Sequence, residues 1–591
     1  MTNGRLTIGQ FTGWHGDRAD GMAELLRSGV QILTGDYLAE LTMLVLQKNQ
    51  TRGGVGYVEA FIDVLSCHLE EIASKGVKVV TNAGGLDAPG LAAAIRALCA
   101  DRGVDLSVAA IVGDDVREVL ASSPDLELVN IDTGVSLDLS DHRVLTANAY
   151  LGAWPIVEAL QQGADIVICP RTTDASLVVG AAASHFGWKP GQLDELAGAV
   201  VAGHIIECGA QATGGNFSFF AETADLGLPG MPIAEIDPSG ESVITKSVGS
   251  GGLVSTDTVL AQLFYEVGGS AYQNPDVVTD LTSISVTQDA PDRVRVSGTK
   301  GFPPTSTAKL SLTFEGGYRN TMTIGLTGGR VAEKRAWIER QVEQEIGASD
   351  SFGELRWSQI GPADPHGTFE EATAWLVLTV RDRDRAKVDR ANFSSRVVSI
   401  ATSSVPGFYL TSPPQAERLF GVQWPSLIEK DRVSASVILD SGETVAVPWP
   451  DGVSDDTDYS VAERARVMTT VAADEATTAA SLGTIIGARS GDKAGSANLG
   501  TWTRNDETFH WLASYLTVDR LRGLMPELAG LRVERHVFSN LRGMNFLVYQ
   551  YLGDGVSACT RIDPQGKGLG EYLLSKVTDI PTRLLAEAAR V

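Results

Sequence analysis

One short segment of the chain carries a histidine, a carboxylate, a thiol and an amide at helical spacing. If residues 200–211 form a helix, one face of it carries His204, Glu207, Cys208 and Gln211, because offsets of three, four and seven residues coincide on a helix. A histidine one turn from a carboxylate can act as an oriented base, and a thiolate nucleophile at Cys208 is geometrically possible. We therefore predict catalytic roles for His204, Glu207 and Cys208, and a substrate-binding role for Gln211.

Two alternative roles for this segment stay open. The polar face can simply pack against another part of the protein, with Cys208 small and buried. His204 and Glu207 can also serve as metal ligands, but the sequence shows no obvious third ligand, so we predict no metal site.

Glycine-rich turns follow this segment and offer exposed backbone N–H groups. Gly214-Gly215-Asn216 is expected to end the helix, and we assign Asn216 to substrate binding. The loop 249–252 precedes a predicted helix beginning near Asp257, and a glycine loop ahead of a helix N-terminus can hold an anion. We therefore add Gly251 and Asp257 as substrate-binding residues, with a plain turn as the alternative.

Small polar residues also follow the predicted strands of the first 190 residues. In an open α/β sheet, ligands bind beyond the carboxyl ends of the strands, so these residues are candidates for contacts with a ligand. Glycine and asparagine are also common in such loops for backbone reasons. The residues assigned to substrate binding here are Asp36, Asn82, Gly84, Gly85, Arg171, Thr172 and Asp174.

Arg171 follows the apolar strand-like run 166–170, so it leaves a buried element. An arginine in that place can clamp a carboxylate or a phosphate through two parallel hydrogen bonds. The alternative is an internal ion pair with Asp174 or Asp165.

The elements that must position these residues alternate between strands and helices. Short, continuously apolar strands between helices indicate a parallel sheet covered on both faces, and an open sheet is favoured over a barrel because about five βα units are clear. The predicted strands of this part are 6–10, 30–33, 77–80, 106–112 and 164–169, and the predicted helices are 17–28, 38–47, 57–74 and 89–102.

The sequence pattern changes after about residue 240, where predicted strands separated by turns are more frequent than predicted helices. We predict a large parallel or mixed α/β main region over 1–447, with possible lobes at about 1–240 and 241–447. A linker at 448–480 and a small domain at 481–591 follow. The small domain shows a β-α-β-β-α order, which suggests a ferredoxin-like α+β sandwich.

Two motifs in the small domain combine glycines with cations and amides. Residues 489–500 follow a predicted strand directly, and residues 540–545 lie in the turn between two predicted strands. Either motif suits an anion or a contact between domains.

Composition limits the function classes. Hydrophobic residues make up 43% of 591, which is ample for a core, and the formal net charge of −25 argues against nucleic acid and anionic membranes as partners. The five cysteines are widely spaced, which fits a reducing cytoplasm, and no apolar stretch is long enough for a membrane helix. We expect a cytoplasmic homo-oligomer with a small-molecule partner.

Several of these motifs, in order along the chain, resemble the acyclic terpene utilisation AtuA family. They are GDYLAELTM at 35–43, TNAGG at 81–85, CPRTTDASLVVG at 169–180, GHIIECGAQATGGN at 203–216 and RSGDKAGSANLG at 489–500. The resemblance implies a main domain followed by the ferredoxin-like domain that the family often carries. It also implies a setting beside a biotin-dependent geranyl-CoA carboxylase in citronellol and geraniol breakdown.

Our first hypothesis is a catabolic enzyme that acts on an acyl-CoA or a branched carboxylic acid, as a hydratase, a dehydratase or a C–C lyase. A CoA thioester would be the substrate, and no cofactor is predicted. The alternatives are a non-catalytic binding or assembly subunit of a biotin-dependent acyl-CoA carboxylase and, less favoured, a metal-dependent lyase using His204 and Glu207.

Overall fold

The computed structural model of the chain describes residues 4–123, 126–223, 227–361, 363–364, 366–454 and 475–588. Two large β-sheets with helices form the main region, and a small antiparallel sheet forms the C-terminal domain. Strands of the main region are β1 (Leu6–Thr12), β2 (Ile32–Gly35), β3 (Lys78–Gly85), β4 (Val108–Val112), β5 (Leu128–Val129), β6 (Ser136–Leu137), β7 (Val144–Ala149), β8 (Ile166–Pro170), β9 (Pro232–Ile236), β10 (Ser242–Lys246), β11 (Ala271–Gln273), β12 (Val278–Asp280), β13 (Ser285–Ala290), β14 (Arg293–Ser297), β15 (Lys300–Phe302), β16 (Thr307–Thr327), β17 (Glu354–Ile360), β18 (Thr373–Asp382), β19 (Phe408–Leu410), β20 (Arg418–Glu429), β21 (Ala435–Ile438) and β22 (Thr444–Val447). Its helices are α1 (Gly21–Ser28), α2 (Glu40–Thr51), α3 (Glu59–Ser66), α4 (Leu69–Lys75), α5 (Ala88–Arg102), α6 (Arg117–Ser122), α7 (Trp154–Gln161), α8 (Ser176–Phe186), α9 (Leu193–Ile206), α10 (Thr256–Leu263), α11 (Val331–Ile346), α12 (Arg385–Val388) and α13 (Ser395–Ser399).

The first sheet has a parallel centre with antiparallel flanks. Strands β1, β2, β3, β8 and β4 lie side by side in that order and run parallel, with β8 inserted between β3 and β4. Strand β9 extends the sheet antiparallel beyond β1, and β21 does so beyond β4. The sheet is open, which confirms the predicted α/β class.

Alternate residues of the central strands enter two separate cores, because side chains along a strand point to opposite faces. Val79 packs on the face covered by α1, α3 and α5, whereas its neighbour Val80 packs on the face covered by α7, α8 and α9. Ile166 and Val167 divide in the same way. Burial on both faces explains why these strands read as unbroken apolar runs.

Two predicted elements differ from the sequence expectation. The predicted helix 57–74 is two helices, α3 and α4, interrupted at Cys67 and His68. Among the strands expected after residue 240, the sequence pattern predicts separate strands at 310–314 and 321–327. They are parts of one long strand, β16, because Gly316 and Gly317 form a bulge instead of a turn.

Strand β16 organises the second sheet. It pairs with β7 and β20 over its first half and with β18 and β19 over its second half. Strand β7 belongs by sequence to the first 240 residues, and β9, β10, β13 and β14 carry the first sheet past residue 240. The predicted lobe boundary near residue 240 therefore does not coincide with a break between the sheets.

The C-terminal domain contains β23 (Thr477–Ser481), β24 (Gly487–Lys493), β25 (Ser496–Trp502), α14 (Asp506–Tyr515), α15 (Val518–Leu524), β26 (Val533–Phe538), β27 (Gly543–Val548), α16 (Leu569–Leu574), β28 (Val577–Pro581) and α17 (Thr582–Ala588). Four antiparallel strands form its sheet in the order β24, β25, β27 and β26. The sequence analysis missed β25, because its glycines and asparagine are turn-like by composition. Motif 489–500 is therefore a β-hairpin and not a loop.

The C-terminal domain packs tightly on the main region. Trp502 is fully buried and belongs to the same apolar core as α9 and α10, and the rings of Phe264 and Phe538 meet edge to face. Residues 455–474, most of the predicted linker at 448–480, lie outside the described residues.

Candidate functional site

The loop after β2 is held by the end of β3. Asn82 donates through its side-chain nitrogen to Asp36 Oδ1 at 2.5 Å, and its side-chain oxygen accepts from the backbone N–H of Tyr37 at 2.7 Å. Burial raises the pKa of Asp36 well above its usual range, Asp174 raises it further, and Arg171 opposes both. Asp36 is therefore a fixed carboxyl group that tends to keep its proton.

Arg171 forms the ion pair that was one of its two predicted roles. Its side chain is 4% exposed, and Nη1 donates to Asp174 Oδ1 at 2.5 Å and to the carbonyl of Leu38 at 3.2 Å. Nη2 donates to the Tyr150 hydroxyl at 2.9 Å. The guanidinium is thus immobilised between the ends of β2, β7 and β8.

A second cation, Lys309, also lies against Tyr150, with Nζ 4.6 Å from the ring centre. Lys309 Nζ is 3.3 Å from Glu40 Oε1, which also accepts from the Tyr150 hydroxyl at 2.8 Å. Lys309 keeps 34% of its side chain exposed and Asp174 keeps 25%. Both side chains are therefore accessible to a ligand, unlike Arg171.

His204 and Glu207 lie at the end of α9. The helix ends at Ile206, and a short 3₁₀ turn follows at Gly209–Thr213, so the predicted helix 200–211 is only partly regular. His204 Nδ1 is 3.0 Å from Glu207 Oε1, as the spacing predicts.

Burial sets the protonation states of this pair. It lowers the pKa of His204 to about 4. The backbone of Gln262 lies near the imidazole and raises this pKa slightly, but it does not form a hydrogen bond with the ring. Burial, with Asp174 and Glu266, raises the pKa of Glu207 well above its usual range. Near neutral pH, His204 is therefore uncharged and Glu207 favours its protonated form.

Several polar atoms of this region are buried with no hydrogen-bond partner among the described residues. Most buried polar groups in proteins are paired, so a cluster of unpaired ones calls for a physical reason. The unpaired atoms here include both ring nitrogens of His204, Oε2 of Glu207, Oε1 of Gln211, Oγ1 of Thr172 and Nε of Arg171.

The hairpin β24–β25 brings further charges to the same place. Lys493 Nζ donates to the carbonyl of Glu266 at 2.7 Å, and burial lowers its pKa to about 8. Asp492 has a pKa raised to about 7 by burial. The charge of Lys493 also lowers the pKa of His204, so this part of the C-terminal domain lies close to the end of α9.

Two buried asparagines of the C-terminal domain hold the segment after α10. Asn498 accepts from the backbone N–H of Glu266 at 2.9 Å and donates to the side chain of Asn545. Asn545 donates to the carbonyls of Val267 and Gly268 at 2.5 and 3.1 Å. Glu266 has φ of +58°, a conformation that is costly for a residue other than glycine, and these bonds hold it there.

Two family models match the chain, one over the main region and one over the C-terminal domain. The model of the acyclic terpene utilisation family protein AtuA matches residues 6–439, and that of the AtuA ferredoxin-like domain matches residues 480–579. The chain belongs to the AtuA family. This confirms the resemblance and implies involvement in acyclic terpene utilisation. No curated protein and no solved structure matches the chain.

The AtuA-family fold brings together most of the predicted site residues. Asp36, Asp174, Arg171 and Glu207 act on one another electrostatically, so the strand-end loops and the end of α9 face one region. Cys208 lies beside Glu207, but burial and the neighbouring carboxylates raise its thiol pKa well above the usual range. A protonated thiol is a weak nucleophile, which disfavours the predicted thiolate role.

Gly84 and Gly85 have packing reasons for their small size. A Cβ at Gly84 would lie 2.6 Å from the carbonyl oxygen of Cys169, and one at Gly85, where φ is +53°, would lie 2.4 Å from the side chain of Leu46. Their identity thus follows from close approach of chain segments.

Three predicted binding residues lie elsewhere. Asp257 accepts from Trp502 Nε1 at 3.0 Å and from Arg504 Nε at 2.8 Å, so it joins the two domains. Gly251 pairs with the segment at Pro229, and Asn216 is exposed with φ of +52°. The structure does not group these three with Arg171.

Sequence reasoning missed Tyr272, whose ring centre lies 5.2 Å from that of His204, and five other members of the cluster, namely Glu40, Tyr150, Glu266, Lys309 and Lys493. Most are isolated polar residues in helices or strands with no recognisable motif. Only the packing of those elements brings them to the site. Glu40 and Lys493 were inside quoted motifs, 35–43 and 489–500, and the two cations of the second motif were the available signal.

Two general observations concern metals and membranes. Within the described ranges, no group of three His, Cys, Asp or Glu side chains is arranged to hold a metal ion. Among the same residues, no helix has the length and apolar character needed to cross a bilayer.

Proposed function

We propose that this AtuA-family protein is a lyase of acyl-CoA or branched carboxylic acid breakdown, acting as a hydratase, a dehydratase or a C–C lyase. The observation that carries the proposal is the pair His204 and Glu207, which is buried beside Arg171 with polar atoms that no described group satisfies. Groups that serve only packing are normally paired with each other.

The pair suits a reaction that needs one proton acceptor and one donor. Dehydration of a hydroxyacyl thioester takes a proton from carbon and adds one to the leaving hydroxyl group. Retro-aldol cleavage takes a proton from a hydroxyl group and adds one to the carbanion. A neutral His204 can accept a proton, and a protonated Glu207 carboxyl can donate one.

The remaining residues would hold and polarise the substrate. The cations Arg171 and Lys309 suit a carboxylate, although part of their charge is already matched by Asp174 and Glu40. Asp36, kept protonated by burial and fixed by Asn82, can donate a hydrogen bond to a reacting carbonyl or hydroxyl oxygen. The proposed step uses side chains alone.

The test is turnover by the purified full chain with branched hydroxyacyl-CoA and unsaturated acyl-CoA thioesters. Water addition, water loss or C–C cleavage should be observed, and Glu207→Gln should lower kcat at least about 100-fold. His185→Gln, at an exposed histidine of α8 outside the cluster, is the control and should keep wild-type kcat.

A different outcome would favour another role. No turnover, together with co-purification of biotin-dependent carboxylase subunits, would replace the lyase with a binding or assembly role. Full activity of His204→Ala would remove His204 as the base and leave the reaction class intact.

A further inference from the structure

Arg489, in β24 of the C-terminal domain, is a buried arginine that has no counter-ion among the described residues. Its residue exposure is 5%, and Nε and Nη2 have no hydrogen-bond partner in the described part of the chain. No described carboxylate forms an ion pair with it. A buried charge without a partner is costly, so arginines in such positions normally have an anion beside them.

The surroundings of Arg489 are built around one aromatic ring. Its guanidinium carbon lies 4.7 Å from the ring centre of Tyr265, a residue that is 2% exposed. Lys567 Nζ lies 4.5 Å from the same centre and donates to the Tyr265 hydroxyl. Two cations from the C-terminal domain therefore meet over one side chain of the main region.

Glu266 and Asp492 also act electrostatically on the Tyr265 hydroxyl, but neither forms an ion pair with Arg489. Asp492 is the nearest carboxylate to Lys567, at 3.7 Å, and burial raises its pKa to about 7, which weakens it as a counter-ion. The hairpin approaches so closely that a Cβ at Gly491 would lie 2.3 Å from the Tyr265 ring. The hairpin thus holds Arg489 rigidly in its place.

This position borders the end of α9. Arg489 and Lys567 both act electrostatically on Cys208, the neighbour of Glu207, while Arg171 acts on Glu207 from the strand ends. The two arginines therefore flank the His204–Glu207 pair from different domains.

We propose that Arg489 and Lys567 form an anion subsite that binds a carboxylate or phosphate group of the ligand, with Tyr265 as its platform. The ligand would then reach across the domain boundary, with its reacting carbon near Glu207 and an anionic group on Arg489. The inference deepens the proposed function, because it assigns a second recognition group to the same ligand. It is tested by binding alone, so its failure is distinguishable from the absence of turnover.

The experiment measures binding of inorganic phosphate, succinate and coenzyme A to the full chain by calorimetry and by the shift in Tm. At least one probe should bind wild type and bind Arg489→Met at least tenfold more weakly. Succinate alone would identify a carboxylate subsite, whereas phosphate and coenzyme A would identify a phosphate subsite.

Arg504→Met is the matched control. Arg504 also lies in the C-terminal domain, stacks on Phe219 at 4.0 Å and crosses to the main region, but Asp257 and Glu222 neutralise it. This variant should lose stability and keep wild-type affinity. Without anion, Arg489→Met should be as stable as wild type or more stable, because it removes an unpaired buried charge.

Two results would overturn the proposal. One is that none of the probes binds wild type, and the other is equal binding to wild type and Arg489→Met. If Arg489→Met does not fold, Arg489→Lys replaces it, and wild-type affinity of that variant for every probe would contradict a guanidinium site.

Discussion

The strand-end half of the site satisfies most of its polar groups, whereas the helix-end half leaves its central pair largely unsatisfied. At the strand ends, Arg171 is bonded to Asp174, Tyr150 and backbone carbonyls, and Asn82 uses both ends of its amide, although Nε of Arg171 has no partner among the described residues. At the end of α9, His204 and Glu207 touch each other and leave three polar atoms without partners among the described residues.

This difference indicates that the strand-end residues and the helix-end residues have different roles. A network in which most polar groups are bonded is rigid and sensitive to the loss of a member, because each partner is then left buried and unpaired. A polar group that lacks a hydrogen-bond partner within the protein can still form a hydrogen bond with a ligand. Substitutions at the strand ends should therefore change the free energy of unfolding. Substitutions at the end of α9 should mainly change the pH dependence of stability and the binding of a ligand.

The largest effect is expected for Arg171→Met. It would leave the Asp174 carboxylate without its ion-pair partner, at a cost of about 3–5 kcal/mol in the free energy of unfolding. Urea denaturation measures this. Arg117→Met is the control, because the pair Arg117–Asp115 is largely exposed and should contribute under about 1 kcal/mol. Equal losses in both variants would contradict the contrast.

A smaller loss is expected for Asn545→Ala. Asn498 and the carbonyls of Val267 and Gly268 would lose their hydrogen-bond partner, which should cost about 1–3 kcal/mol. Because Glu266 would no longer be held in place, ligand binding or kcat should fall as well.

Asn540→Ala is the control for that variant. Asn540 also bridges the domains, through the carbonyls of Leu281 and Ile284, but it lies apart from Glu266. It should lose stability with little change in kcat. An Asn545→Ala protein that is destabilised but otherwise functionally unchanged would limit Asn545 to a structural role.

Glu207→Gln should change how stability depends on pH. The folded state holds the Glu207 proton above the pKa of the unfolded chain, so wild type loses stability as pH rises from about 5 towards the raised folded value. The variant lacks this loss, so its stability relative to wild type should grow by at most about 1.4 kcal/mol per pH unit. Chemical denaturation between pH 5 and 8 checks this, and a constant difference would show that Glu207 ionises normally.

The smallest effect is expected for His204→Gln, in the opposite pH direction. The pKa of His204 is lowered to about 4, so wild type keeps its stability above about pH 6.5 and loses it as pH falls towards 4. The variant should lose less over that window. A parallel decline of both proteins below pH 6 would contradict a buried neutral histidine.

Much of the fold was predictable because it depends on local patterns. The helix predicted at 89–102 is found at Ala88–Arg102, begun by the Asp87 cap, and the five apolar strands that form the parallel centre were all recognised. The hairpin at 489–500 was missed, since three glycines and an asparagine look like a loop until β27 pairs with β25.

The sequence by itself determined the class of the sheet, the ends of its strands and the contact of His204 with Glu207, since each follows from residues a few positions apart. Only the tertiary structure decided that β8 lies between β3 and β4, that Arg171 bonds Tyr150 and the carbonyl of Leu38, and that Lys493 and Arg489 come close to the end of α9. These depend on packing between segments far apart in the chain, and periodicity carries no information about such contacts.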